Sequence, residues 1–174
     1  MLDGDVAAAI LAFDRALTLD ALGPARLNRG VAYLRLGQFA KASADFEKLA
    51  ADEKSPLRAD AAYHNAISLD RLGRTADAER SLERALTFDA KLDGALLYLG
   101  MLRERRGDLQ SAGRAYLDYL KLHPDSVLAM LRFGISAQRA GRIDVAKSYL
   151  QRVIELAPNA PEALEARKFL VMWE

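Results

Sequence analysis

Cysteine is absent from all 174 residues, which removes disulfide frameworks, thiolate metal sites and thiol nucleophiles together. Histidine occurs only at His64 and His123, so general bases and imidazole ligands are scarce as well. No sign of charge dominates. Against 24 Asp and Glu stand 25 Lys and Arg, a net +1 without the clustered basic excess that a nucleic-acid partner requires. Five prolines and 11 glycines are few for a turn-rich all-β chain, and 51% hydrophobic residues are too many for a disordered one. No apolar run approaches the roughly 20 residues that span a bilayer, so direct membrane insertion by this chain is not expected. Met1-Leu2-Asp3-Gly4-Asp5 lacks both the basic start and the apolar stretch of a secretory signal. These absences disfavour most enzymes, and they imply neither a cofactor nor a metal.

What the sequence does have is a repeat. Gly4, Gly37, Gly73, Gly107 and Gly141 recur at intervals of 33, 36, 34 and 34 residues. Five residues after each comes alanine: Ala9, Ala42, Ala78, Ala112 and Ala146. Four further on comes a large apolar side chain: Phe13, Phe46, Leu82, Tyr116 and Leu150. Glycine tolerates the positive φ that ends a helix, and stretches with helical apolar spacing flank the later glycines. Alanine and a bulky residue four positions on share one helix face, which lets helices approach closely. Pro124 and Pro158 follow the second helices, where proline belongs. Each unit therefore reads as a helix–turn–helix pair.

The pattern resembles the tetratricopeptide repeat family over nearly the whole chain. The family's small first-helix residue appears as Gly30, Ala66, Gly100 and Gly134, and the run from Asn28 to Gly37 follows the family closely. The resemblance implies an all-α fold, a right-handed α-α superhelical solenoid of stacked helix pairs. Its phase implies a single domain, 1–174. Residues 4–20 are then a half repeat holding only a second helix. Full repeats follow at 24–57, 58–91, 92–125 and 126–160, and 161–174 form a further helix opened by Pro161.

In such solenoids the stacked first helices line the ligand groove. The family's first groove position falls on Leu27, Tyr63, Leu97 and Leu131. The second falls on Val31, Ile67, Met101 and Ile135, with Phe169 continuing the row. This apolar stripe suits an apolar segment or amphipathic helix of a protein partner. The competing reading is simple packing between neighbouring repeats. The polar clamp with which co-chaperone relatives hold a partner's carboxylate is missing: only Asn28 and Arg132 match it, three repeats apart. At the groove edge stand Arg35, Arg71, Arg105 and Arg139, a column that could grip carboxylates. Cations near helix C-termini also offset the helix dipole and pair with neighbouring acids, which is the plainer account.

No catalytic constellation can be assembled, and no catalytic residue is assigned. His64, beside Tyr63, reads as a packing residue; His123, before Pro124, reads as a last-turn dipole partner. Val6, Ile10, Phe13 and Leu17 at one end, and Phe169 to Trp173 at the other, would leave apolar patches if exposed. That makes Phe13, Leu17, Leu170 and Trp173 candidates for self-association, unless the chain is an excised fragment. Function then reads as a non-catalytic protein-interaction scaffold, cytoplasmic as the chain stands. A looser resemblance, carried by Ala115-Tyr116-Leu117-Asp118-Tyr119-Leu120 and Pro124-Asp125-Ser126, is to bacterial pilotin-type lipoproteins of type IV pilus assembly. It would imply a secretin partner and a periplasmic, outer-membrane-associated setting. The third reading is a regulatory or localising region of a larger enzyme.

Overall fold

The computed structural model describes residues 3–18 and 22–172. Among them are ten helices and no strand. Helix α1 (Asp3–Thr18) precedes four pairs: α2 (Leu22–Arg35) with α3 (Phe39–Ala51), α4 (Arg58–Arg71) with α5 (Thr75–Phe88), α6 (Asp93–Arg106) with α7 (Leu109–Leu122), and α8 (Val127–Arg139) with α9 (Ile143–Leu156). Helix α10 (Pro161–Val171) follows, with its proline in the first turn. The helices gather into two compact units, Met1–Ala95 and Leu96–Glu174, divided within α6.

Four of the five recurring glycines make the turns inside the pairs. Gly37, Gly73, Gly107 and Gly141 have φ between 69° and 85°, a region in which a Cβ is costly. The same two bonds close each turn. After Gly73, for example, Arg74 N–H donates to Leu69 C=O at 2.9 Å, while Gly73 N–H donates to Asp70 C=O at 2.9 Å. This satisfies carbonyls that the ending helix leaves without partners. Gly4 differs: it lies inside α1.

In three of the four pairs, a first-helix glycine faces a large second-helix residue. In unit 1, a Cβ on Gly30 would lie 2.5 Å from the Phe46 ring. In unit 2, one on Gly100 would lie 2.5 Å from the Tyr116 ring, and one on Gly134 3.0 Å from Leu150. Phe46, Tyr116 and Leu150 are fully buried. Glycine inside a helix costs about 1 kcal/mol against alanine, and burying a large apolar side chain returns about 1.5–3 kcal/mol. Close packing wins.

Charge reinforces unit 1. The Arg29 guanidinium donates to both oxygens of buried Asp45, from Nε at 2.7 Å and from its terminal nitrogen at 2.5 Å, and to Asp14 at 2.7 Å. One side chain thus ties α1, α2 and α3 together. In α4, His64 stacks on Phe46 with ring centroids 5.4 Å apart, and its Nδ1 is buried without a hydrogen-bond partner. That agrees with its reading as a packing residue.

Two outcomes are expected. Gly100→Ala should lower unfolding free energy by about 1–3 kcal/mol in chemical denaturation, because overpacking against Tyr116 outweighs the gain in helix propensity. Desolvation holds the His64 imidazole below its ordinary value, with Asp60 pulling the other way. Stability from this group is therefore full above the unfolded value of about 6.5 and is lost as pH falls below it. Melting temperature should drop more steeply between about pH 7.5 and about pH 5 in the native protein than in His64→Phe; equal slopes would remove His64 as the cause.

Candidate partner-binding site

The first-helix rows are described unit by unit. In unit 1, Leu27, Val31, Tyr63 and Ile67 are all half-buried, while Arg35 and Arg71 are exposed. Tyr63 packs on its neighbour His64, at 5.1 Å between centroids, and against Gly94, where a Cβ would meet its ring at 3.1 Å. Burial, with Asp93 nearby, raises its hydroxyl above the ordinary tyrosine value. Val31 and Arg35 meet Phe13 of α1 around a cavity of about 230 Å³. Phe13 thus shares a cavity with groove residues. Leu17 is half-buried.

In unit 2 the first helices α6 and α8 enclose a cleft of about 230 Å³. Tyr98, Met101 and Leu102 supply its apolar surface, with Met101 37% exposed. Arg105, Arg132 and Arg139 bring three positive charges, and Glu104 brings one negative charge. Glu104 is only 8% exposed. Its carboxylate accepts from the Tyr116 hydroxyl at 2.8 Å and from Arg139 at 3.3 Å, with Arg132 at 4.0 Å. Burial, then the bond to Glu104, raises the Tyr116 hydroxyl far above its ordinary value. Arg132 Nε is buried with no hydrogen-bond partner. The cleft thus combines an apolar surface with cationic excess, which suits a segment carrying an apolar side chain beside a carboxylate.

The structure withholds two expected groove residues. Leu131 and Ile135 are each 2% exposed, within a core to which α10 contributes Ala163 and Ala166, and Phe169 and Leu170 pack against the same core. A partner therefore cannot reach Leu131 or Ile135 without displacing this packing. Leu97 also packs against that core, whereas Met101 is open. Leu164 and Val171 of α10, and Met172 at its C-cap, are exposed large apolar side chains; Trp173 lies outside the described residues. Three cleft residues, Tyr98, Leu102 and Glu104, are absent from the groove positions expected from the sequence. Glu104 sits among Arg103, Arg105 and Arg106 in the last turn of α6, and nothing in the string marks it as buried.

Among the described residues, no group of three or more His, Asp or Glu could hold a metal ion, and no helix is long and apolar enough to cross a membrane. Comparison with known proteins gives one consistent picture. Two family models, both of the tetratricopeptide repeat, match residues 27–93, 65–127 and 128–160. Similar solved structures include MamA, at 22% identity and a TM-score of 0.78, covering 89% of this chain and 84% of that one. YrrB, described as a TPR protein with an unusual peptide-binding site, matches at 23% identity and TM-score 0.77, covering 95% and 84%. PilW, described as a widely conserved type IV pilus biogenesis factor, matches at 22% identity and TM-score 0.77, covering 91% and 72%. At these identities the likeness concerns the fold.

Removing the donor from Glu104 tests the floor of the cleft. Tyr116→Phe keeps the ring against Gly100 but leaves a buried carboxylate one partner short, so stability should fall by about 1–3 kcal/mol in denaturant titration. An unchanged midpoint would mean that the 2.8 Å bond contributes nothing.

Proposed function

The chain belongs to the tetratricopeptide repeat family, and on that footing we propose that it is a non-catalytic scaffold that docks a protein partner. The observation carrying this reading is the cleft between α6 and α8, an apolar surface at Met101 beside Arg105, Arg132 and Arg139. The partner segment has an aliphatic or aromatic side chain next to an acidic one. The apolar part covers Met101 and Tyr98, and the carboxylate meets a guanidinium that Glu104 does not fully neutralise. In unit 1, Leu27, Val31, Tyr63 and Ile67, with Arg35 and Arg71 beside them, offer a second stretch of partner surface of similar character. Phe169, half-buried, is at most a margin of this surface.

A second reading, a module of type IV pilus assembly working on a secretin subunit, draws support from the fold likeness to PilW. The Ala115–Leu120 string adds little to it. That string lies in α7 and turns Ala115, Tyr116 and Leu120 into the core, so it reports packing. Purified secretin subunit that fails to bind the module would remove this second reading and leave the first standing.

The test uses a library of short labelled peptides that pair leucine or phenylalanine with glutamate or aspartate, with lysine-substituted controls. Acidic peptides should bind and controls should not. Met101→Asp and Arg105→Glu, both at exposed positions, should each weaken binding about tenfold or more, the effect of losing about 1.4 kcal/mol. Binding that survives both changes, with helical content intact, would move the site elsewhere.

A further inference from the structure

Unit 2 holds another cavity, on the second-helix side, of about 340 Å³. Its surface comes from α7 and α8, with Arg142 at the start of α9. Gly113, Phe133, Ser136 and Ala137 are buried, Leu109 and Leu117 are half-buried, and Arg114 and Arg142 are exposed. Depth therefore runs from an apolar floor to a cationic rim. The size falls in the range of small-molecule pockets, about 300–1,000 Å³.

Three observations single it out. First, Gly113 stands in the middle of α7, where glycine weakens a helix. The nearest atom to a Cβ there is Phe133 Cε2 at 3.4 Å, an ordinary contact. Unlike Gly30 and Gly100, it is not demanded by a neighbour; its missing side chain leaves space. Second, the Ser136 hydroxyl, in a residue 0% exposed, has no hydrogen-bond partner. Its repeat counterpart Ser68 donates to its own helix, to His64 C=O at 3.0 Å. Third, the matching seam in unit 1 holds a cavity of similar size, about 320 Å³, but its lining is a polar network. Ser43, Glu47 and Asn65 stand there where Gly113, Leu117 and Phe133 stand in unit 2. Ser43 donates to Asn65 at 2.7 Å, and Asn65 donates to Glu47 at 2.8 Å. One copy of the seam is lined by charged and hydrogen-bonded groups; the other has an apolar floor with an unpaired hydroxyl.

We propose that the cavity between α7 and α8 binds a small aryl carboxylate whose ring packs on Leu117 and Phe133, whose carboxylate meets Arg114 and Arg142, and whose far polar atom bonds the Ser136 hydroxyl. Such a ligand has an apolar body and a charge at one end only, as the exposure gradient requires. The site is separate from the α6–α8 cleft, and neither proposal depends on the other.

The experiment is a titration of the intact chain, followed by amide chemical shifts, with 3-(4-hydroxyphenyl)propanoate, 3-phenylpropanoate and the neutral 3-phenylpropanol. The hydroxylated acid should move the Gly113 and Ser136 amides. The acid without the hydroxyl should bind about three- to tenfold more weakly, the value of one hydrogen bond, and Ser136→Ala should erase that difference. Arg114→Glu with Arg142→Glu, both surface changes, should remove the preference for acid over alcohol. Gly113→Leu should fill the space and abolish all shifts, with its melting curve confirming a folded chain. No shift with any probe, or shifts that persist in a folded Gly113→Leu, would overturn the proposal.

Discussion

The structure depends on a contact between a residue with almost no side chain and one with a large side chain. Gly30 against Phe46, Gly100 against Tyr116 and Gly134 against Leu150 are each sixteen residues apart, one member in the first helix of a pair and one in the second. No larger residue fits at the glycine without moving a fully buried group, which fixes how closely the two helices approach. The positive-φ turn glycines let the chain reverse quickly enough for the two partners to meet. Ala66 and Leu82, both fully buried, hold the same sixteen-residue relation in the remaining pair.

Polar groups are then placed around that packing, and they are not decorative. Asp45 and Glu104 are buried carboxylates, costly alone and tolerable only with donors on more than one side. Arg29 answers Asp45 and reaches Asp14 as well. Glu104 draws on Tyr116, whose ring already packs on Gly100, so one tyrosine serves both packing and charge. The consequence for function is direct. Because Glu104 partly neutralises Arg139 and Arg132, the α6–α8 cleft keeps a positive excess that is held in place by a buried anchor.

Repetition hides divergence. The four pairs share turns and interhelical contacts, but equivalent seams on the second-helix side hold a cavity lined by a hydrogen-bonded polar network in unit 1 and one with an apolar floor in unit 2. A common scaffold tolerates this because the repeat constrains the faces that pack within a pair far more tightly than the faces that open between pairs.

The amino-acid string by itself determined the helix pairs, the turn glycines and the membership of the repeat family. Those features are local, set by the φ freedom of glycine and by apolar spacing along single helices. It also put Met101 in a candidate groove row and Arg105 and Arg139 at the edge beside that row, since they fall at fixed offsets from a turn. Tertiary structure decided what is reachable. Leu131 and Ile135 occupy the same offsets as Leu97 and Met101, yet packing that includes α10 buries them. Glu104 and Ser136 read as an ordinary charge and an ordinary serine until neighbouring helices removed their water. Burial is a property of which surfaces meet, and a sequence offset does not contain it.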